Sequence, residues 1–382
     1  MWKKTYFLLR IITINLLFFI VLFVLFLEVP LRKKYNAWPF QQFHHKATSN
    51  PLLARLEEGE KELLWRNAPG TFCHDGLLIN SLGLRNREIF YKPYDVYRIL
   101  FLGDSLFVLS TTLNGKSYIE NIERILSKQL NKKIETINAG ICGYTTYQEL
   151  QFLKFHGLKW EVDAVVIGFV LNDVYHKYLH IPPLQGNAFS WDPNILLNRF
   201  NNKTFPGILF SWSYYINEIV DRIQTLERKN RNKINYQFEQ NLDLYLAWKE
   251  YGWVDVRKSL LEIKSILKSR NIPLVVIIFP VIYQFDDHYL NSNKDYVLYP
   301  QSRITKILED IDVKYLDLTD FISKHGKGSL YKDYIHLNEK GNELIQSEIL
   351  TFIKNNLFNL NLQADITSKK IRYNKILPDV NK

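Results

Sequence analysis

The segment Ile99-Leu100-Phe101-Leu102-Gly103-Asp104-Ser105 runs through four apolar residues without polar alternation, then breaks on glycine and two small polar side chains. Continuous apolarity over so few residues suits a parallel strand covered on both faces, since a half-exposed strand would alternate. The Gly-Asp-Ser that follows supplies backbone tolerance and a local side-chain acceptor, which places a tight turn at the strand's end. Working outward, four more apolar runs repeat the pattern at 134–137, 164–170, 274–279 and, most weakly, 313–318. Helical stretches at 118–130, 147–156, 256–269 and 302–310 separate them, and a last helix beginning after Asn338 carries Leu344, Ile345, Ile349, Phe352 and Ile353. This alternation predicts an α/β fold: a three-layer, doubly wound parallel sheet of about five strands with helices on both faces.

Four short segments each lie just beyond one of these runs: Gly103-Asp104-Ser105, Asn138-Ala139-Gly140, Asn172-Asp173 and Asp333-x-x-His336. Ligands of an open α/β sheet bind beyond the carboxyl ends of its strands, so all four are expected on one rim. A serine hydroxyl needs a base to take its proton, and a histidine needs a fixed tautomer to act as that base. Ser105, His336 and Asp333 fit those three roles. The negative oxygen of an acyl-transfer intermediate calls for preorganised donors, for which the backbone N–H groups of Ser105 and Gly140 and the Asn172 amide are the candidates. Asp104 is expected to brace the nucleophile turn and Asp173 the third loop. Blander readings stand beside these: glycine after a strand can answer a backbone need alone, and Asn172 can cap the next helix.

With these residues in view the chain resembles the SGNH/GDSL hydrolases over roughly residues 80–355. Gly103-Asp104-Ser105-Leu106 matches the first block, Gly140 the second, Asn172 the third and Asp333-x-x-His336 the fourth. Asn80-Ser-Leu-Gly-Leu-Arg85 is similar to the lead-in of membrane-anchored or exported bacterial members. The resemblance implies a flavodoxin-like sheet, a metal- and cofactor-independent Ser–His–Asp mechanism, and esterase, lipase or carbohydrate acetyl-transfer activity. Two departures stand out. Val170 occupies the glycine position of the third block, and Leu106, Phe107 and Val108 are bulkier than the residues usual after the serine, which suggests a narrow or apolar acyl pocket.

The net charge of +10 is concentrated at the ends. Residues 1–46 hold seven Lys/Arg against one acid and residues 356–382 five against two, so the body between them carries +1. That distribution argues against nucleic acid as a partner of the folded body and points to lipid headgroups. The stretch 6–29 is apolar except at Arg10, Thr13, Asn15 and Glu28, long enough for the ~30 Å of a hydrocarbon core, and lacks a small-residue cleavage site. It is expected to be a retained single-pass transmembrane anchor behind a short basic N-terminus, 1–5. Lys3 and Lys4 precede it and Arg32, Lys33 and Lys34 follow, so the positive-inside rule gives no support to the export that the resemblance implies. Both orientations stay open, and nothing in the sequence specifies an oligomeric state.

The remaining organisation is a membrane-proximal arm at 30–79, with a small hairpin expected over 70–93, the catalytic domain at 80–355 and a polar basic tail at 356–382. An insertion at 175–253, helical around 214–228, is either a lid over the site or extra packing. His176 and His180 stand at i, i+4 but lack a third ligand, and no Cys/His cluster has zinc spacing, so no metal is assigned. Cys142 is read as packing, with a bridge to Cys73 the lesser option. The expected function is therefore an SGNH-type serine esterase acting on O-acyl groups of envelope glycans or lipids. The alternatives are an O-acyltransferase for surface polysaccharide and a non-catalytic glycan-binding or assembly component that keeps the fold.

Overall fold

A computed structural model describes residues 13–18, 20, 22, 26, 58–63, 66–70, 78–174, 236–241 and 244–358. Five strands, β1 (Val96–Gly103), β2 (Lys133–Gly140), β3 (Ala164–Phe169), β4 (Leu274–Ile278) and β5 (Lys314–Asp317), form one parallel sheet in the order β2-β1-β3-β4-β5. This is the flavodoxin-like order, whose switch point lies between β1 and β3. Residues 99–102 of β1 and 164–167 of β3 are fully buried, the burial that their unbroken apolarity required. Strand β5 is only partly buried because it pairs on one side alone, which explains its weak apolar signal. Strand β1 begins three residues before its apolar run, since the β1–β2 ladder starts at Val96 opposite Lys133 and includes the buried Arg98.

The helices are α1 (Ser105–Val108), α2 (Tyr118–Leu130), α3 (Thr146–Phe155), α4 (Gln237–Gln240), α5 (Trp253–Lys268), α6 (Asp287–Val297), α7 (Tyr299–Asp310), α8 (Thr319–His325) and α9 (Glu339–Leu357). Helix α2 is capped by Ser117, whose side chain accepts from the Ile119 N–H, and ends on Asn131 in the left-handed region at φ 47°. Its buried Ile119, Ile122 and Leu126 give it one apolar face. Helix α2 packs against α9, and α3 against α5, so with right-handed crossovers the two pairs cover opposite faces of the sheet.

Other expectations fare differently. The hairpin over 70–93 lies partly outside the described residues; at its described ends Leu78 is a bridge residue and the Gly70 N–H donates to Ile79 O at 2.9 Å, and from residue 80 the chain makes a turn held by Asn80. Asn80 Oδ1 accepts from the N–H groups of Leu82 and Leu84 at 3.0 and 2.9 Å, and its Nδ2 donates to Arg87 O at 2.9 Å. The described end of the insertion, from Tyr236, is core. Phe238 stacks on Trp248 with ring centroids 4.0 Å apart, and Trp248 Nε1 donates to Tyr296 O. The insertion's expected helix at 214–228, together with His176, His180 and Cys73, lies outside the described residues, as does the tail from 359. The anchor 6–29 falls largely outside them too; no helix among the described residues is long and apolar enough to cross a membrane.

Candidate active site

Strand β1 ends on Gly103, and Asp104 caps the single turn of α1 by accepting from the Leu106 N–H at 2.9 Å through Oδ1. Ser105 is the first residue of that turn and only 8 % exposed. Its N–H, at the helix start, has no acceptor among the described residues. The turn is seated on the sheet by Phe107. Gly103, Gly140 and Gly168 stand in register across β1, β2 and β3, and the Phe107 side chain lies against all three. A Cβ at Gly168 would come within 2.5 Å of the Phe107 ring, and one at Gly103 within 2.6 Å. Leu106, Phe107 and Val108 are therefore buried core residues; the apolar acyl pocket expected of them is not what they build.

Asp333 and His336 arrive from the far end of the chain on a tight turn. Tyr331 and Leu337 form an antiparallel bridge across it, and the Lys332 N–H donates to His336 O at 2.9 Å. Tyr331 fixes the turn to the loop after β4 by donating its hydroxyl to Pro280 O at 2.7 Å. Within the turn Asp333 Oδ1 accepts from the N–H groups of Ile335 and His336 at 2.9 and 2.7 Å. Asp333 Oδ2 lies 2.7 Å from His336 Nδ1, and His336 Nε2 lies 2.7 Å from Ser105 Oγ, across 231 positions of sequence.

A carboxylate can only accept, so Nδ1 carries the ring proton and Nε2 is left as the acceptor facing the serine. Burial alone would raise the Asp333 carboxyl, but the hydrogen bonds and charge of His336, with the Ile335 N–H, outweigh it and hold the carboxyl down at about 2. Asp333 is thus an anion throughout the neutral range.

Asn172 follows β3, and its Nδ2 donates to Asp104 Oδ2 at 2.8 Å, which ties the third segment to the first. The second hydrogen of that amide remains for a ligand. Val170, at the position where glycine was expected, is fully buried and donates its N–H to Asp173 Oδ2 at 2.8 Å, so the side chain is accommodated in the core without displacing Asn172 from Asp104. Asp173 thereby accepts from the backbone at the end of β3.

Gly140 needs correcting. Its N–H donates to Asn138 Oδ1 at 3.0 Å and so is engaged within its own strand end. Its lack of a side chain serves packing: a Cβ would stand 2.7 Å from Phe107 Cβ and 2.9 Å from Asp104 O. Beyond it Ile141–Tyr144 form a turn closed by the Tyr144 N–H on Ile141 O at 3.0 Å, with Gly143 at φ 77° and its N–H without an acceptor among the described residues.

Several side chains that hold this arrangement went unassigned in the sequence. Asn138 joins β2 to α1 by donating from Nδ2 to Phe107 O at 2.8 Å. Arg85, 6 % exposed, donates to Val108 O, to Ser110 Oγ at 3.3 Å and to Thr111 Oγ1 at 2.8 Å. The Asn80–Arg85 segment thus ends in a clamp on the chain just after the serine helix. Asn342 of α9 donates to Leu109 O and Thr111 O at 3.0 and 2.9 Å, fixing the helix behind the His336 turn to that same loop. The available signal was an arginine or asparagine inside an otherwise apolar or turn-forming stretch, since such side chains are buried only when partnered.

Two buried acids lie behind Asn172. Burial and the negative charge of Asp104 push the Asp173 carboxyl well up despite its bonds to Val170 and Thr146. Burial and the charges of Asp173 and Asp104 push the Glu149 carboxyl of α3 well up also.

No protein-family model matches the sequence, and no curated protein matches it significantly. Among solved structures it is similar to a lipase/acylhydrolase from Enterococcus faecalis, at 15 % identity over 68 % of this chain and 96 % of that one, with a TM-score of 0.38. It is also similar to the acetyl xylan esterase AlAXEase, at 16 % identity over 66 % and 98 % with a TM-score of 0.39. A catalytic mutant of an acetylxylan esterase from Geobacillus stearothermophilus matches at 14 % identity over 70 % and 96 %, with a TM-score of 0.41. At these scores the likeness identifies no activity. The strand order itself is flavodoxin-like, and it draws Ser105, Asn172 and the Asp333–His336 turn together at one place.

Proposed function

We propose that the protein is an SGNH-type serine esterase that cleaves an O-acyl ester through an acyl-enzyme on Ser105. The observation that carries this reading is the unbroken chain Asp333–His336–Ser105, with both links at 2.7 Å between groups of the right polarity. As Ser105 Oγ bonds to the ester carbonyl carbon, its proton passes to His336 Nε2, and the imidazolium is stabilised by the Asp333 anion. The tetrahedral oxyanion faces the free Ser105 N–H and the second hydrogen of the Asn172 amide. With the Gly140 N–H engaged, the donor from the second loop is assigned to Gly143. Collapse breaks the C–O bond, and His336 returns its proton to the departing alkoxide; water then enters by the same steps in reverse and releases the acid.

The class of substrate proposed is the O-acyl groups of envelope glycans or lipids, on account of the apolar stretch at 6–29. Hydrolysis of p-nitrophenyl acetate by the native chain and by Ser105→Ala tests the reading. Loss of turnover in the variant at unchanged folding is expected; equal turnover by both would place the chemistry elsewhere.

A further inference from the structure

Helix α3 brings two residues of one face toward the third loop. Thr146 donates from Oγ1 to Asp173 Oδ1 at 3.3 Å, and Glu149 lies one turn further on, near enough to Asp173 and Asp104 for their charges to act on it. Glu149 is 1 % exposed, yet neither of its carboxyl oxygens has a hydrogen-bond partner. Asn172 Oδ1, next to Asp173, is buried and equally without a partner, while Nδ2 of the same amide donates to Asp104. A buried carboxylate without a donor costs several kcal/mol, so this group does not persist there as a bare anion.

The two carboxyl groups whose charges act on it are acceptors. Asp173 is committed as one, taking the Val170 N–H on Oδ2 and the Thr146 hydroxyl on Oδ1; Asp104 takes the Asn172 amide and the Leu106 N–H, with Ser105 Oγ 3.2 Å from its Oδ2. No donor reaches Asn172 Oδ1 or either Glu149 oxygen, and Glu149 becomes a donor on taking up a proton. Burial and the two neighbouring negative charges favour that proton.

We propose that Glu149 is a positioning residue for this site: its O–H, directly or through one buried water, supplies the donor that Asn172 Oδ1 lacks and so fixes the amide with Nδ2 toward the oxyanion. Asn172 is held at both ends, by Asp104 at the nitrogen and by Glu149 at the oxygen. The inference rests on Asn172 being an oxyanion donor.

The test compares Glu149→Gln and Glu149→Met in the full chain, measuring kcat and KM on p-nitrophenyl acetate and the melting temperature. The amide of Glu149→Gln can still donate, so its kcat stays within about threefold of the native value, while Glu149→Met loses about tenfold or more with KM within about twofold. A merely structural role predicts the opposite for methionine, because replacing a buried unpaired acid by an apolar chain of similar length stabilises without touching kcat. Native kcat in Glu149→Met, or an equal fall in both variants, overturns the proposal.

Should the methionine variant fail to fold, infrared difference spectra of native protein against Glu149→Gln at pH 7 decide. A carboxylic-acid C=O band lost in the variant supports the proposal, and no such band overturns it. This readout needs no turnover, so it stands apart from a failure of the esterase reading, which would show as native activity that survives Ser105→Ala.

Discussion

Replacing Asp333 by Asn changes one atom's hydrogen-bonding sense and leaves the turn its shape. In the native site Oδ1 accepts two backbone N–H groups, from Ile335 at 2.9 Å and His336 at 2.7 Å, while Oδ2 faces the ring. The asparagine keeps its oxygen on those two donors, because turning the amide over would forfeit both bonds at about 1 kcal/mol each and set NH₂ against N–H. Its nitrogen then faces His336 Nδ1, which must accept, so the ring proton moves to Nε2 and points at Ser105 Oγ. The base no longer has a lone pair for the serine. In serine triads generally that loss costs about 10⁴ in kcat, or roughly 5.5 kcal/mol of transition-state stabilisation.

Because the Asp333 side chain is 40 % exposed, solvent eases the tautomeric change, and the expected fall is about 10³-fold or somewhat more. Steady-state kinetics on p-nitrophenyl acetate should show that fall with KM within about twofold, and the melting temperature should barely move. A kcat reduced by less than about tenfold would refute the role given to Asp333.

Three further outcomes are expected. Gly168→Ala places a Cβ 2.5 Å from the Phe107 ring, so urea denaturation should show a loss of about 1–3 kcal/mol together with reduced kcat, and adding Phe107→Leu should recover part of both. Arg85→Met leaves Val108 O buried without its donor, for a loss of about 1.5–3 kcal/mol on the same assay and a lower kcat through the freed end of α1. The third concerns pH. The folded Glu149 carboxyl sits above its unfolded value, so the native state binds more protons than the unfolded one and stability falls as pH rises past about 4.3. Glu149→Gln removes that slope, up to about 1.4 kcal/mol per pH unit while the proton is held, so its melting temperature should gain on the native protein from pH 5 to pH 8. A gain that shrinks with pH would contradict the protonated state.

Most of the sheet was legible because its strands are buried on both faces, which leaves unbroken apolar runs; α2 was legible to the residue because Ser117 and Asn131 punctuate it. Ser105 was readable as a serine directly after the apolar run of β1; Asp333 and His336 lie beyond α8, well past β5, and were readable only through their Asp-x-x-His spacing ahead of the last helix. Gly140 was misjudged because a glycine at a strand end reads the same whether it exposes an N–H or makes room for a neighbour, and the neighbour, Phe107, lies far away in sequence. For the same reason Leu106, Phe107 and Val108 looked like pocket walls when they are the seat of the serine turn. Arg85, Asn138 and Glu149 were opaque in another way: a single polar residue reveals neither its burial nor its partners until the elements meet.

The central claim is that Ser105 is the nucleophile made ready by His336. Reacting the native chain with a fluorophosphonate and mapping the adduct by peptide mass spectrometry tests it most directly. One equivalent of label on the peptide bearing Ser105 is expected, and its loss in Ser105→Ala and His336→Ala. Label on another serine, or none on the folded native protein, would contradict it.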